Sequence, residues 1–175
     1  SQFHKLMSSK GIVFSNTTPV GIYDSCPFLF RGNISARVLG QNAFAITPSN
    51  YDYAKMQVGD ICILDFDMQR VEGEMKPSIE SGMHAGVYQT RPDVHCIIHT
   101  HQPYASALAL INSPIPALFD EQVMRLGRSV DIIPYAPSGT GFLKNAVKSK
   151  IKNNNNAFII QNHGVLVFGG TMEQT

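Results

Sequence analysis

Residues 94–101 read Val94-His95-Cys96-Ile97-Ile98-His99-Thr100-His101, an apolar run that ends on two imidazoles one residue apart. Its branched apolar content marks a buried strand. Side chains alternate between the faces of a strand, so His99 and His101 point the same way with Ile97 below them, while Ile98 and Thr100 point to the other side. Two ring nitrogens at a strand end can therefore converge on one cation. The pair does not decide the matter alone: six histidines in 175 residues give roughly 0.2 such pairs by chance. A strand histidine can equally be a hydrogen-bonded structural residue.

Composition narrows the choice. A chain of 175 residues with 43% hydrophobic content can bury one good core and fits a single domain over 1–175. A formal net charge of +1 offers no field of one sign to hold nucleic acid or an anionic membrane, which favours a small-molecule partner. No apolar run approaches the roughly 18 residues of a membrane span, and the first ten residues lack the apolar segment of a signal peptide. Cys26, Cys62 and Cys96 are odd in number and free of any C-x-x-C spacing, which argues against a disulfide framework and a thiolate zinc site. Buried thiols in a reducing, cytoplasmic setting are the expectation.

Moving outward from the strand, Pro77-Ser78-Ile79-Glu80 opens a helix that runs to about Gln89 and closes before Arg91-Pro92, with Met83, Val87 and either Ala85 or Tyr88 facing inward. Glu80 sits in its first turn, well placed to face a pocket. His84 lies four residues on along the same helical face, a pairing that reads as surface chemistry, with orientation of Glu80 as the alternative. Upstream, residues 32–37 and 43–47 form a hairpin that ends in Pro48-Ser49-Asn50, either an ordinary turn or a loop whose dipoles hold an anion. Residues 61–67 and 70–73 suggest a second hairpin. Residues 1–31, broken by Gly11, Pro19, Gly21 and Pro27, form an arm without sustained periodicity.

Downstream, residues 104–111 read as a buried, alanine-rich helix after Pro103. A short strand over 116–119, a helix over 121–126 and a strand over 130–133 follow. Phe142, Leu143, Ala146, Val147 and Ile151 repeat at three and four, giving an amphipathic helix that stops in the Asn153–Asn156 run. Two buried strand runs, 157–160 and 165–168, then bracket Gln161-Asn162-His163-Gly164. Gly164 permits a close backbone approach there, and His163 becomes a candidate third ligand.

In this order, with Gly32-Asn33-Ile34-Ser35 upstream, the segments Pro77-Ser78-Ile79-Glu80, Ile98-His99-Thr100-His101 and Asn162-His163-Gly164 resemble the class II aldolase/adducin family. The resemblance covers residues 32–170. It implies an α/β fold with α/β/α layers, in which a largely antiparallel central sheet carries helices on both faces, assembled as a cyclic homotetramer. It also implies a Zn2+ site, or one for another divalent metal, with His99, His101 and His163 as nitrogen ligands and Glu80 as both ligand and catalytic carboxylate. The substrate phosphate would lie near Asn33, Ser49 and Ser78.

The implied activity is that of a metal-dependent lyase, an aldolase making or breaking a carbon–carbon bond in a small sugar phosphate through an enediolate, with Glu80 moving the proton. The chain departs from the family pattern in four places. Asn50 stands where glycine is usual, Ile79 replaces a second serine, and Asp120 replaces a tyrosine thought to assist proton transfer. The chain also ends twelve residues after His163, where relatives continue through further helices. An epimerase, dehydratase or decarboxylase on the same metal site, or a non-catalytic adducin-like binding module, are the alternatives.

Overall fold

The computed structural model describes residues 32–152, 154–172 and 175. The N-terminal arm 1–31 and Cys26 lie outside them. Thirteen elements follow in order: β1 (Gly32–Val38), β2 (Ala43–Ile46), β3 (Cys62–Asp65), β4 (Arg70–Glu72), α1 (Ser81–Thr90), β5 (Cys96–Thr100), α2 (Pro103–Leu110), β6 (Ile115–Pro116), α3 (Asp120–Leu126), β7 (Ser129–Ile133), α4 (Gly141–Lys150), β8 (Ala157–Ile160) and β9 (Gly164–Gly169). The strands form one sheet in the order β4-β3-β2-β1-β5-β9-β8-β7-β6. Every neighbouring pair is antiparallel except β7 and β8. The expected α/β class and largely antiparallel sheet are both present.

The opening stretch becomes β5, at the centre of this sheet between β1 and β9. Ile97 and His99 on its inner face are wholly buried, whereas Thr100 is exposed. Register fixes what stands beside the histidines: Asn33 of β1 pairs with His99, and Leu166 of β9 pairs with it from the other side. Both expected hairpins in the first half are formed, by β1–β2 and β3–β4. Asn50, in the loop after β2, has φ 53, a left-handed conformation that asparagine tolerates better than most residues.

Helix α1 starts where the Pro77–Glu80 turn folds back on itself. The Ser78 carbonyl accepts from the Ser81 amide and hydroxyl, and the Ser78 hydroxyl accepts from the Glu80 amide. At the other end, the Arg37 guanidinium donates to the carbonyls of Tyr88, Arg91 and Val94, serving last-turn acceptors that a helix cannot satisfy itself. The same guanidinium stacks on the Phe66 and Tyr88 rings at about 5 Å. Helix α4 packs beside α1 and buries Leu143, Val147 and Ile151, the four-residue repeat visible in the sequence. Phe44, Ile46, Ile97, Phe158, Leu166 and Phe168 of the sheet complete this main core.

Two expectations need correction. Residues 104–111 do form a helix, but it is not buried: α2 rests on β8 and β9 through Ala109, while Tyr104, Leu110 and Ile111 are exposed. An apolar helix is covered only on the side that meets the sheet. His84, assigned to the surface, is completely buried, because α1 turns Met83, His84, Val87 and Tyr88 inward together. Cys62 and Cys96 are both buried, as expected. No helix of the described residues is long and apolar enough to cross a membrane.

Candidate metal centre

Four side chains from three parts of the fold meet at the edge of the main core. His99 is the penultimate residue of β5, His101 follows the strand, His163 lies in the β8–β9 turn, and Glu80 stands just before α1. One ligand atom from each lies within 4.8 Å of all the others. Nε2 of His99 is 3.2 Å from Glu80 Oε2 and 3.1 Å from His101 Nε2, and His163 Nε2 is 2.8 Å from Glu80 Oε1. The three rings stand edge to face, their centroids 4.8–5.0 Å apart. Close backbone packing makes this possible. A Cβ on Gly164 would strike the Thr100 carbonyl and lie 3.0–3.1 Å from the His101 and His99 rings.

Hydrogen bonding prepares the ligand atoms. Nδ1 of His99 donates to the Val165 carbonyl at 2.8 Å, so this ring carries its proton away from the cluster and presents the Nε2 lone pair to it. That lone pair faces a carboxylate oxygen and another imidazole nitrogen, an arrangement that a cation relieves. A tetrahedral zinc site with bonds of about 2.1 Å spaces its ligand atoms about 3.4 Å apart. Three neighbouring spacings of 2.8–3.2 Å lie a little inside that value and all lie within 4.8 Å, and three imidazole nitrogens with one carboxylate are a donor set that suits a divalent metal ion. The residues present fit a metal ion.

Glu80 is 5% exposed, and burial by itself would raise its pKa. The neighbouring imidazoles of His163 and His99 and the amide of Asn33 outweigh that effect and hold the carboxyl well below the usual carboxylate range. Two further donors reach it from outside the imidazole cluster: Asn33 Nδ2 to Oε2 at 2.7 Å, and the Ser138 hydroxyl to Oε1 at 2.8 Å. The carboxylate is thus gripped on both oxygens.

The other expected site residues are placed as follows. Asn33 turns its amide to Glu80 and to His84 rather than to solvent. Ser78 is buried at the head of α1, its hydroxyl on the Glu80 amide. Ser49 lies on the adjacent segment, tied by its amide to the Lys76 carbonyl, next to the bridge between Pro48 and Pro77. Asp120 begins α3 and is exposed. Sequence reasoning missed Ser138, which belongs to the Pro134–Thr140 turn, and the inward role of Ser35 and His84. The signal for the last two was present: Asn33 and Ser35 alternate on one strand face, and Glu80, His84 and Tyr88 repeat every four residues on one helix face.

Fold and site together define a class: a largely antiparallel α/β protein with a three-histidine, one-carboxylate cluster able to hold a metal ion. The chain belongs to the class II aldolase and adducin N-terminal domain family, whose model matches residues 28–175. An L-fuculose phosphate aldolase of Escherichia coli O6:H1 is 33% identical over 143 residues, which are 82% of this chain and 65% of that relative. A 5-deoxy-D-ribulose 1-phosphate aldolase of Bacillus thuringiensis serovar kurstaki is 35% identical over 135 residues, 77% of this chain and 62% of that relative. The matched region thus spans just under two thirds of the length of these relatives. A solved L-fuculose 1-phosphate aldolase superposes with a TM-score of 0.77 at 29% identity, covering 99% of this chain and 74% of that one.

Proposed function

We propose that this chain is a zinc-dependent aldolase of small sugar phosphates, a lyase that makes or breaks a carbon–carbon bond beside a carbonyl through an enediolate. The observation that carries this reading is Glu80. It is a buried carboxylate in contact with two of three converging imidazoles yet held independently by Asn33 and Ser138. The names of the relatives, aldolases of L-fuculose phosphate and 5-deoxy-D-ribulose 1-phosphate, support the sugar-phosphate substrate class.

A divalent ion would be held by His99, His101 and His163 and would supply Lewis-acid chemistry to the substrate carbonyl. Glu80, ionised in this environment, accepts a proton on its carboxylate from the reacting carbon and returns it in the opposite direction. Asn33, Ser49 and Ser78 are the amide and hydroxyl donors assigned to the substrate phosphate; the shared Pro48–Pro77 bridge, which sets Ser49 and Ser78 on neighbouring segments, supports that grouping. The exposed apolar side chains of Leu118, Phe119 and Met124 support assembly into a homotetramer. Three widely spaced cysteines without C-x-x-C spacing, two of them buried, support a cytoplasmic location.

The test is proton exchange on dihydroxyacetone phosphate in deuterated water, followed by NMR. Zinc-loaded wild type takes up deuterium at the carbon beside the carbonyl, and Glu80→Gln does not. Elemental analysis shows close to one zinc per chain in wild type and loss of zinc in His101→Ala. No uptake by zinc-loaded protein refutes the chemistry; unchanged zinc in His101→Ala refutes the ligand assignment.

A further inference from the structure

A chain of buried hydrogen bonds leads away from Glu80 through four side chains on β1 and α1. Asn33 Nδ2 donates to Glu80 Oε2 at 2.7 Å, and Asn33 Oδ1 lies 2.5 Å from His84 Nε2. His84 Nδ1 lies 2.6 Å from the Ser35 hydroxyl, which is 2.8 Å from the hydroxyl of Tyr88. Asn33 is 5% exposed, Ser35 1%, His84 0% and Tyr88 2%. Only Glu80 and Asn33 have a place in the chemistry set out above.

The direction of every bond is fixed from one end. A carboxylate only accepts, so the Asn33 group beside it is the NH2, and the amide oxygen faces His84. An amide oxygen also only accepts, so His84 Nε2 carries a proton and donates. A fully buried imidazole stays neutral, and desolvation pushes the pKa of His84 down to about 3, so its single ring proton is the one on Nε2. Nδ1 is then an acceptor, and the Ser35 hydroxyl spends its one proton there. Ser35 must accept from Tyr88, whose hydroxyl burial keeps protonated. No donor in the chain has a second choice.

We infer that His84 is a positioning residue for the metal centre: by donating from Nε2 to Asn33 Oδ1 it locks the amide with its NH2 toward Glu80, and so holds the carboxylate in the ligand cluster. Without His84 the amide can turn over and set its oxygen against Glu80 Oε2, which converts an attraction into a repulsion. Purely architectural packing does not require this arrangement, since the surrounding contacts of α1 with the sheet are made by Phe44, Met83, Val87 and Ile97. A buried polar chain is favourable only when each member is satisfied, and here the chain ends on the carboxylate of the cluster.

The inference rests on the metal-site reading but not on the aldol reaction, so it is tested by zinc affinity and by the ring proton. In metal-free wild type, long-range proton–nitrogen NMR correlations, assigned by comparison with His84→Gln, show His84 with its proton on Nε2. By chelator competition, His84→Leu binds Zn2+ 10–100-fold more weakly than wild type, the range for loss of an outer partner of a ligand. His84→Gln, which can still offer an N–H near the Nε2 position, recovers most of that loss. In a Glu80→Ala background, His84→Leu costs less than about threefold, because its effect travels through Glu80. A wild-type proton on Nδ1, or the same loss in both backgrounds, overturns the inference. Loss of aldolase activity with these results intact would overturn only the proposed reaction.

Discussion

Three glycines near the centre give the same substitution three different outcomes, worked from their surroundings. Gly164 pairs with Ile160 at the start of β9, and a Cβ there would meet the backbone carbonyl of Thr100, which cannot rotate aside. Relief requires β9 to move off β5, which breaks the bond from His99 Nδ1 to the Val165 carbonyl. Overpacking costs about 1–3 kcal/mol, and a buried group left without its partner a further 1–3 kcal/mol or so. Gly164→Ala therefore destabilises the protein by about 2–6 kcal/mol. Gly82, inside α1, has open space where an alanine methyl would stand, with nothing within 4 Å, so Gly82→Ala gains helix propensity alone, about 0.5–1 kcal/mol.

Gly86 is the intermediate case. Its Cβ would come 2.9 Å from Lys144 Cγ and 3.3 Å from Lys148 Cγ, two long side chains that can shift. Gly86→Ala is expected within about 0.5 kcal/mol of wild type, its propensity gain offset by that displacement. Urea unfolding of metal-free protein reads all three, with a common m-value as the check that only stability has changed. Zinc competition adds a second readout, in which Gly164→Ala alone loses tenfold or more. A Gly164→Ala protein as stable as Gly82→Ala would refute the close-approach argument and with it the geometry of the β5–β9 ligand pair.

The remaining predictions concern acid and assembly. His84 has its pKa lowered in the folded state to about 3, so between there and its unfolded value the unfolded chain binds more protons, and stability falls as pH falls. Between about pH 6 and 4.5, metal-free wild type should lose up to about 1.4 kcal/mol of stability per pH unit more than His84→Gln. Parallel stability curves for the two proteins would show that His84 is not the cause. For assembly, light scattering at micromolar concentration should find an oligomer in wild type and a smaller species in Phe119→Asp or Met124→Lys. A wild-type monomer would remove the role assigned to the exposed apolar face of α3.

Local signals singled out the histidines of the cluster, an i, i+2 pair on a strand and a histidine before a glycine in a turn, while Glu80 joined them as a ligand only through the family resemblance. Periodicity likewise located β5, α1, α4 and the β8–β9 hairpin. What it could not supply was the partner each face meets. The apolar residues of 104–111 suggest burial, yet among them only Ala109 is fully buried. Glu80 and His84 suggest a solvated pair, yet β1 offers polar residues at alternate inward positions to receive them. An amphipathic reading assigns polar residues to water by default, and that default fails where two polar stripes face each other across a core.

This meeting of stripes also explains how the centre is divided between layers. His99 lies in the sheet and His101 and His163 directly flank its strands, where the hydrogen-bonded ladder through β1, β5 and β9 and the near contact at Gly164 fix the backbone. Glu80 comes from the helix layer, at a junction secured by Ser78 and gripped by Asn33 and Ser138. Three nitrogens are therefore set by backbone geometry, and one carboxylate is set by side-chain hydrogen bonds that can be exchanged. A perturbation of the α1–α4 packing, such as truncation of Val147, should disturb the carboxylate while leaving the imidazoles in register, whereas a perturbation of β9 disturbs the imidazoles first. The proton transfer proposed for Glu80 requires a change of partners, and the fold sets that carboxylate on the exchangeable side of the site.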